Sequence, residues 1–249
     1  MKASRRTVRP AHPLPILFLV FVVGGIAAAC GGDDRETGHA RAPDRITVRG
    51  TATLDGAPFD ADFLGAVVRR DGLVTPCQSG IPGVTQGRYT ITVLADRAGR
   101  GCGRQGAEVV LWTFVGGSKI YSTAAFAWPT RGREARFDPQ FSTVMPQGDS
   151  PRVTELSGEA FDRDGKRLPA GTPVDAYVGD IQCGVASVRQ AESFTGYILS
   201  VVGPDSRRGC TQDAPITFKV NGRAATETYV NHLEGGGSGT GGTFRLTQS

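Results

Sequence analysis

Short stretches of this chain alternate between apolar and polar residues, at Ile46-Thr47-Val48-Arg49, Tyr89-Thr90-Ile91-Thr92-Val93 and Ile216-Thr217-Phe218-Lys219-Val220. A period of two puts Ile216, Phe218 and Val220 on one face and Thr217 and Lys219 on the other. That is the pattern of a strand with one side on a core and one in water. Turn dipeptides punctuate the runs at Asp55-Gly56, Asp71-Gly72, Asp164-Gly165 and Asn221-Gly222, pairs that tolerate the positive φ of tight hairpins. No stretch after Cys30 keeps a helical period. The spacing predicts an all-β chain of antiparallel β-sandwiches, and 35 glycines and 15 prolines suit such a turn-rich fold.

The pattern occurs twice in the same order. Gly50-Thr51-Ala52 matches Gly158-Glu159-Ala160, and Leu64-Gly65-Ala66-Val67-Val68 matches Val174-Asp175-Ala176-Tyr177-Val178. Gly87-Arg88-Tyr89 lies over Gly196-Tyr197, and Val110-Leu111-Trp112-Thr113-Phe114 over Ile216-Thr217-Phe218-Lys219-Val220. Ala135-Arg136-Phe137-Asp138 resembles Thr243-Phe244-Arg245-Leu246. Two tandem modules are therefore expected, residues 46–143 and 153–249, joined by a linker over 144–152. Each module holds two cysteines, Cys77 and Cys102 in the first, Cys183 and Cys210 in the second. Four cysteines allow three pairings. Duplication favours Cys77–Cys102 and Cys183–Cys210, because each module had to fold alone; reduced buried thiols are the alternative. Closing a loop of this size stabilises a module by about 3–4 kcal/mol on the chain-entropy model.

Before the first module the chain reads differently. Lys2, Arg5, Arg6 and Arg9 precede an apolar run from Leu14 to Val23, followed by small residues up to Cys30. That order predicts a secretory signal peptide over residues 1–29. The apolar stretch falls short of the roughly 20 residues that span a bilayer, which disfavours a permanent transmembrane helix. The four signal cations equal the whole formal net charge of +4, so the remainder is neutral and offers no basic surface for nucleic acid. Cys30, in Ile26-Ala27-Ala28-Ala29-Cys30, resembles the lipidated cysteine of a lipobox, although Ala27 stands where a branched aliphatic residue is usual. Ala27-Ala28-Ala29 also fits ordinary signal cleavage, so plain secretion is the alternative to a lipoprotein on the outer face of the cell membrane. Residues 30–45 then read as anchor cysteine and flexible tether.

The stretch Leu168-Pro169-Ala170-Gly171-Thr172-Pro173-Val174-Asp175-Ala176-Tyr177-Val178, with Cys183-Gly184, Gly196-Tyr197 and Ile216 to Gly222, resembles modules of bacterial and archaeal surface proteins. Those are similar to carboxypeptidase-regulatory-like, prealbumin-type β-sandwiches. The resemblance covers residues 154–230 well; the first copy departs from it at Phe59-Asp60-Ala61-Asp62. It implies an accessory or structural module rather than a catalyst.

Candidate chemistry is sparse. Only His232 of the three histidines lies in a module, beside the Gly235–Gly242 run, so neither a His-rich metal site nor a Ser–His–Asp arrangement is expected. Asp55, Asp60 and Asp62, and Asp162 with Asp164, could offer oxygens to Ca²⁺, but Asp-Gly is foremost a hairpin turn. No metal or cofactor is expected. Trp112 is assigned to the inward face of its strand. Trp128, ahead of Pro129 at a strand end, with Tyr177 and Tyr229, are the candidates for an exposed sugar-stacking surface. The leading expectation is a non-catalytic, lipid-anchored envelope protein whose elongated pair of modules acts as spacer, scaffold or adhesion unit. It meets the membrane through the lipid on Cys30. The alternative is a binder of cell-surface carbohydrate or peptide through sandwich loops; an enzyme is the least favoured reading. Nothing in the sequence fixes the oligomeric state.

Overall fold

The computed structural model describes residues 43–144, 151–191, 194–233 and 244–249. The expected signal, Cys30, most of the tether, residues 145–150 of the linker and the Gly235–Gly242 run lie outside them. Every regular element described is a strand. The first half holds β1 (Arg45–Thr51), β2 (Thr53–Leu54), β3 (Ala57–Pro58), β4 (Gly65–Arg70), β5 (Leu73–Pro76), β6 (Gln78–Ser79), β7 (Val84–Thr85) and β8 (Arg88–Leu94). It continues with β9 (Glu108–Val115), β10 (Ser118–Tyr121), β11 (Phe126–Ala127), β12 (Glu134–Arg136) and β13 (Gln140–Phe141). The second half holds β14 (Val153–Gly158), β15 (Ala160–Phe161), β16 (Pro173–Val178), β17 (Ile181–Ser187), β18 (Arg189–Ala191), β19 (Phe194–Val202), β20 (Pro215–Val220), β21 (Arg223–Val230) and β22 (Leu246–Thr247).

In the first half a sheet of order β12-β1-β8-β6 packs on one of order β10-β9-β4-β5. Ile46, Val48, Ile91 and Val93 from one meet Ala66, Val68, Val109 and Leu111 from the other. In the second half β14-β19-β18 packs on β17-β16-β20-β21. The order β10-β9-β4-β5 thus recurs as β21-β20-β16-β17, and β1-β8-β6 as β14-β19-β18: one fold, used twice. The register refines one of the sequence matches by one residue. Ala66 pairs with Leu111 and Ala176 with Phe218, so Leu111, not Trp112, is the counterpart of Phe218. A strand apolar on both faces gives alternation nothing to fix the register with.

Of the four expected turn pairs, Asp55-Gly56, Asp71-Gly72 and Asn221-Gly222 carry positive φ at both residues, as a two-residue type I′ hairpin requires. Gln86-Gly87 and Gly116-Gly117 do the same. At Asp164-Gly165 only the glycine does; there the Asp162 carboxylate accepts the amides of Asp164 and Lys166, an Asx-type turn.

Each sandwich is closed by the same device. Gly50 lies opposite Tyr89 and Gly158 opposite Tyr197. A closing segment crosses this point: the Phe137 amide donates to the Arg49 carbonyl at 3.0 Å, and the Phe244 amide to the Ser157 carbonyl at 2.8 Å. The Tyr89 hydroxyl donates to the Phe137 carbonyl at 2.6 Å and the Tyr197 hydroxyl to the Phe244 carbonyl at 2.9 Å. A Cβ on Gly50 or Gly158 would overlap that carbonyl, so glycine is required here by close approach rather than by φ. The segment then runs parallel to the start of its sandwich, β13 on β2 and β22 on β15. Disulfides Cys77–Cys102 and Cys183–Cys210, with Cα separations of 5.6 and 5.7 Å, tie the β4–β5 and β16–β17 hairpins to the loops leaving β8 and β19.

Two predictions follow from the closing device. Gly50→Ala and Gly158→Ala should each cost about 1–3 kcal/mol as overpacked sites, and Tyr197→Phe about 1 kcal/mol for one hydrogen bond, measured by urea unfolding; an alanine variant as stable as the parent would refute the close approach. Burial first, then the Asp138 charge for Tyr89 and the Glu227 charge for Tyr197, raises both phenols above their ordinary range. The folded state then holds protons that the unfolded state releases near pH about 10. This stabilisation is complete below that pH and is lost as pH rises further, so the urea midpoint should fall on alkaline titration, and less steeply in Tyr89→Phe/Tyr197→Phe.

Candidate functional site

Strand β20 alternates buried and exposed residues, whereas in β9 every residue from Val109 to Thr113 is buried. The inward residues of β9 serve their own core. On the outward face Trp112 lies opposite both Gly65 and Tyr121, and Val110 opposite Val67. Gly65 has no side chain because the Trp112 indole lies where its Cβ would be. These outward residues, with Val74, belong to one apolar cluster with Val153, Val202 and the core of the second sandwich. Val153 opposes Val202, and Glu155 opposes Ser200; Val202 and Ser200 are fully buried. The outer face of β14–β19 therefore sits on the outer face of β10-β9-β4-β5.

Polar groups lock this interface. Buried Lys119 pairs with half-buried Glu155 of the second sandwich. Its ammonium lies 3.9 Å from the Trp112 ring centroid and 5.4 Å from that of Tyr121, a cation–π arrangement. Burial draws the Lys119 pKa below the usual lysine range, with Glu155 opposing the shift. At the other edge Arg100 Nη1 donates to Asp175 Oδ2 at 2.8 Å, and Gln182 Nε2 to Asp175 Oδ1 at 3.0 Å. Asp175 is buried, so it needs both donors. Arg189 reaches across to the Pro76 carbonyl and lies 3.5 Å from Cys102 Sγ; burial lowers its pKa to about 10. Arg207 donates to the Asp71 carbonyl at 3.0 Å.

The sequence leaves the relative orientation of the two modules open; in the structure the sandwiches are docked face to face. Trp112 is buried as expected, but against the second sandwich rather than in its own core. Trp128 is not exposed either. Only 7% of it is accessible, and its indole occupies the space beside Gly103, which has no side chain to exclude it. Tyr177 is half-buried with the Lys219 ammonium 4.6 Å from its ring, and Tyr229 is half-buried, edge-on to Phe244 at 5.5 Å. Tyr177 stands opposite Thr217 and Tyr229 opposite Ile216. Neighbouring positions on β20 point to opposite faces, so the three aromatic candidates form no common platform.

Asp55, Asp60 and Asp162 serve turns. Asp55 accepts the Ser142 and Thr143 hydroxyls at 2.8 and 2.6 Å, bonds that hold its pKa below the usual carboxylate range. Asp60 accepts the Gln86 amide. Exposed His232 pairs with Asp213 at 3.0 Å. The interface residues Trp112, Lys119, Glu155, Arg100 and Asp175 escaped the sequence reading. The available signal was the unbroken apolar run Val109-Val110-Leu111-Trp112, which marks a strand buried on both faces.

No protein-family model matches the chain, and no curated protein matches it. Among solved structures it is similar to a double mutant of the shaft pilin SpaA from Lactobacillus rhamnosus GG, at 10% identity over 83% of this chain and 98% of the pilin, with a TM-score of 0.24. A streptococcal ancillary pilin matches at 7% identity over 84% of this chain and 63% of its own, with a TM-score of 0.23. A C-terminal fragment of the pilus adhesin SpaC from Lactobacillus rhamnosus GG matches at 12% identity over 82% and 96%, with a TM-score of 0.21. The architecture stands on the strand pairing itself.

Trp112→Ala should cost about 3–5 kcal/mol, as for a buried aromatic. Arg100→Ala, which strips a buried carboxylate of its ion-pair partner, should cost about 1–3 kcal/mol because Arg100 is itself partly exposed and screened. Denaturant unfolding checks both, and an unchanged midpoint in Trp112→Ala would overturn the docked interface.

Proposed function

We propose that this chain is a non-catalytic cell-envelope protein, held on the outer face of the membrane by a lipid on Cys30, whose two prealbumin-type sandwiches act as one rigid spacer or adhesion unit. The single observation that carries the reading is the docked interface. A spacer fixes position only when its units do not pivot, and here an apolar face flanked by Lys119–Glu155 and Arg100–Asp175 holds the two units together. Intra-chain interfaces of modest polarity permit domain motion, whereas an extensive apolar one suppresses it. The anchor is supported by Ile26-Ala27-Ala28-Ala29-Cys30 and by cysteine arithmetic: the other four cysteines are joined in pairs, which leaves Cys30 as the thiol available for a thioether.

Two measurements test this. Metabolic labelling with palmitate should mark the protein and vanish in Cys30→Ala; label that persists in the variant would remove the anchor. Calorimetry of the mature chain should give one cooperative transition for both sandwiches, and two independent transitions would end the rigid-spacer reading.

A further inference from the structure

The face of the second sandwich that docks on the first has a twin. In the first sandwich the corresponding outer face of β1 and β8 is exposed, and its chemistry is different. Arg45, Arg49, Arg88 and Arg136 project from it, with Arg49 beside Arg136 and Arg88 beside Thr51 in the register. Counting from the paired glycines Gly50 and Gly158, Arg45 and Arg49 stand where the docked face has Val153 and Ser157. The four cations are offset by only two carboxylates. Glu134 meets Arg49 at 3.2 Å and Asp138 meets Arg136 at 3.4 Å, both with exposed partners. Among the described residues Arg45 and Arg88 have no acidic partner.

A shallow trough of about 600 Å³ runs along this face, lined by Arg49, Thr51, Arg88, Thr90, Glu134 and Arg136. We infer that it is a binding surface for an anionic polysaccharide, one carrying carboxylates along its chain. Guanidinium forks match carboxylates in bidentate geometry, and threonine hydroxyls donate and accept as sugar hydroxyls do. Its lining comes from three adjacent strands of one sheet, β12, β1 and β8, so the arginines of neighbouring strands face the same open surface. A lipid surface fits less well: binding at a bilayer interface uses apolar side chains inserted below the headgroups, and none of the exposed large apolar residues lies on this face. The inference needs export of the chain but no lipid on Cys30, so it stands or falls separately from the anchor.

The test uses the mature chain with Cys30→Ser, immobilised polygalacturonate, neutral dextran and phosphatidylglycerol vesicles. The protein should bind polygalacturonate and not dextran, with affinity that falls as salt rises. Arg49→Ser/Arg88→Ser/Arg136→Ser should weaken binding at least tenfold with an unchanged urea midpoint. The charge-matched control Arg163→Ser/Arg208→Ser/Arg223→Ser, on the second sandwich, should bind as the parent does. No binding, equal loss in the control, or binding to the vesicles but not to polygalacturonate would each overturn the assignment.

Discussion

The sheet β10-β9-β4-β5 carries apolar side chains on both faces, and that constraint organises the rest of the molecule. A sheet of this kind needs protein on each side, since one sandwich can cover only one of its faces. The second sandwich supplies the missing layer. Gly65 is bare so that Trp112 can lie flat, Lys119 is buried because Glu155 arrives from the neighbour, and Val153 and Val202 are buried only because the first sandwich is there.

Duplication alone would not have produced this pair. Two copies of one fold that dock through different faces make a head-to-tail contact, and such contacts propagate unless something ends the series. Here both ends are polar. The free face of the first sandwich bears arginine and threonine, and the outward positions of β20 in the second are Thr217 and Lys219. Repeat proteins cap their stacks in the same way, with terminal units whose outer faces prefer water. The two copies have diverged in the residues that decide whether a face meets protein or solvent, and have kept those that close the fold, Gly50 with Tyr89 and Gly158 with Tyr197.

Much of the fold was legible because its signals are local. Alternation in β1, β8 and β20 marks strands, and Asp-Gly and Asn-Gly mark hairpins. The repeat carries the pairing of cysteines within each copy, since a module that folds alone must satisfy its own thiols. What was not legible depends on contacts distant in sequence. Trp128 ahead of a proline reads as exposed, and only the empty space at Gly103 shows why it is buried. Trp112 reads as inward because the alignment with Phe218 is off by one residue, and a doubly buried strand offers no alternation to correct it. Net neutrality concealed the arginine face, because a total charge carries no information about how charge is distributed over a surface.

The closing segments set an order of events for the growing chain. The first sandwich is complete once Phe137 to Phe141 have crossed Gly50, while the second half is still to come. The second sandwich waits for Phe244 to Gln248, which follow every other strand of that sandwich. Until then its β14–β19 face has a finished platform to settle on, the apolar outer sheet of the first. Early units generally fold before later ones, and in that order the first unit offers the second an apolar face to dock on. The sheet that needs a partner most is therefore available before that partner is complete, and a chain made from its N-terminus exposes that apolar sheet only for the interval between the two closures.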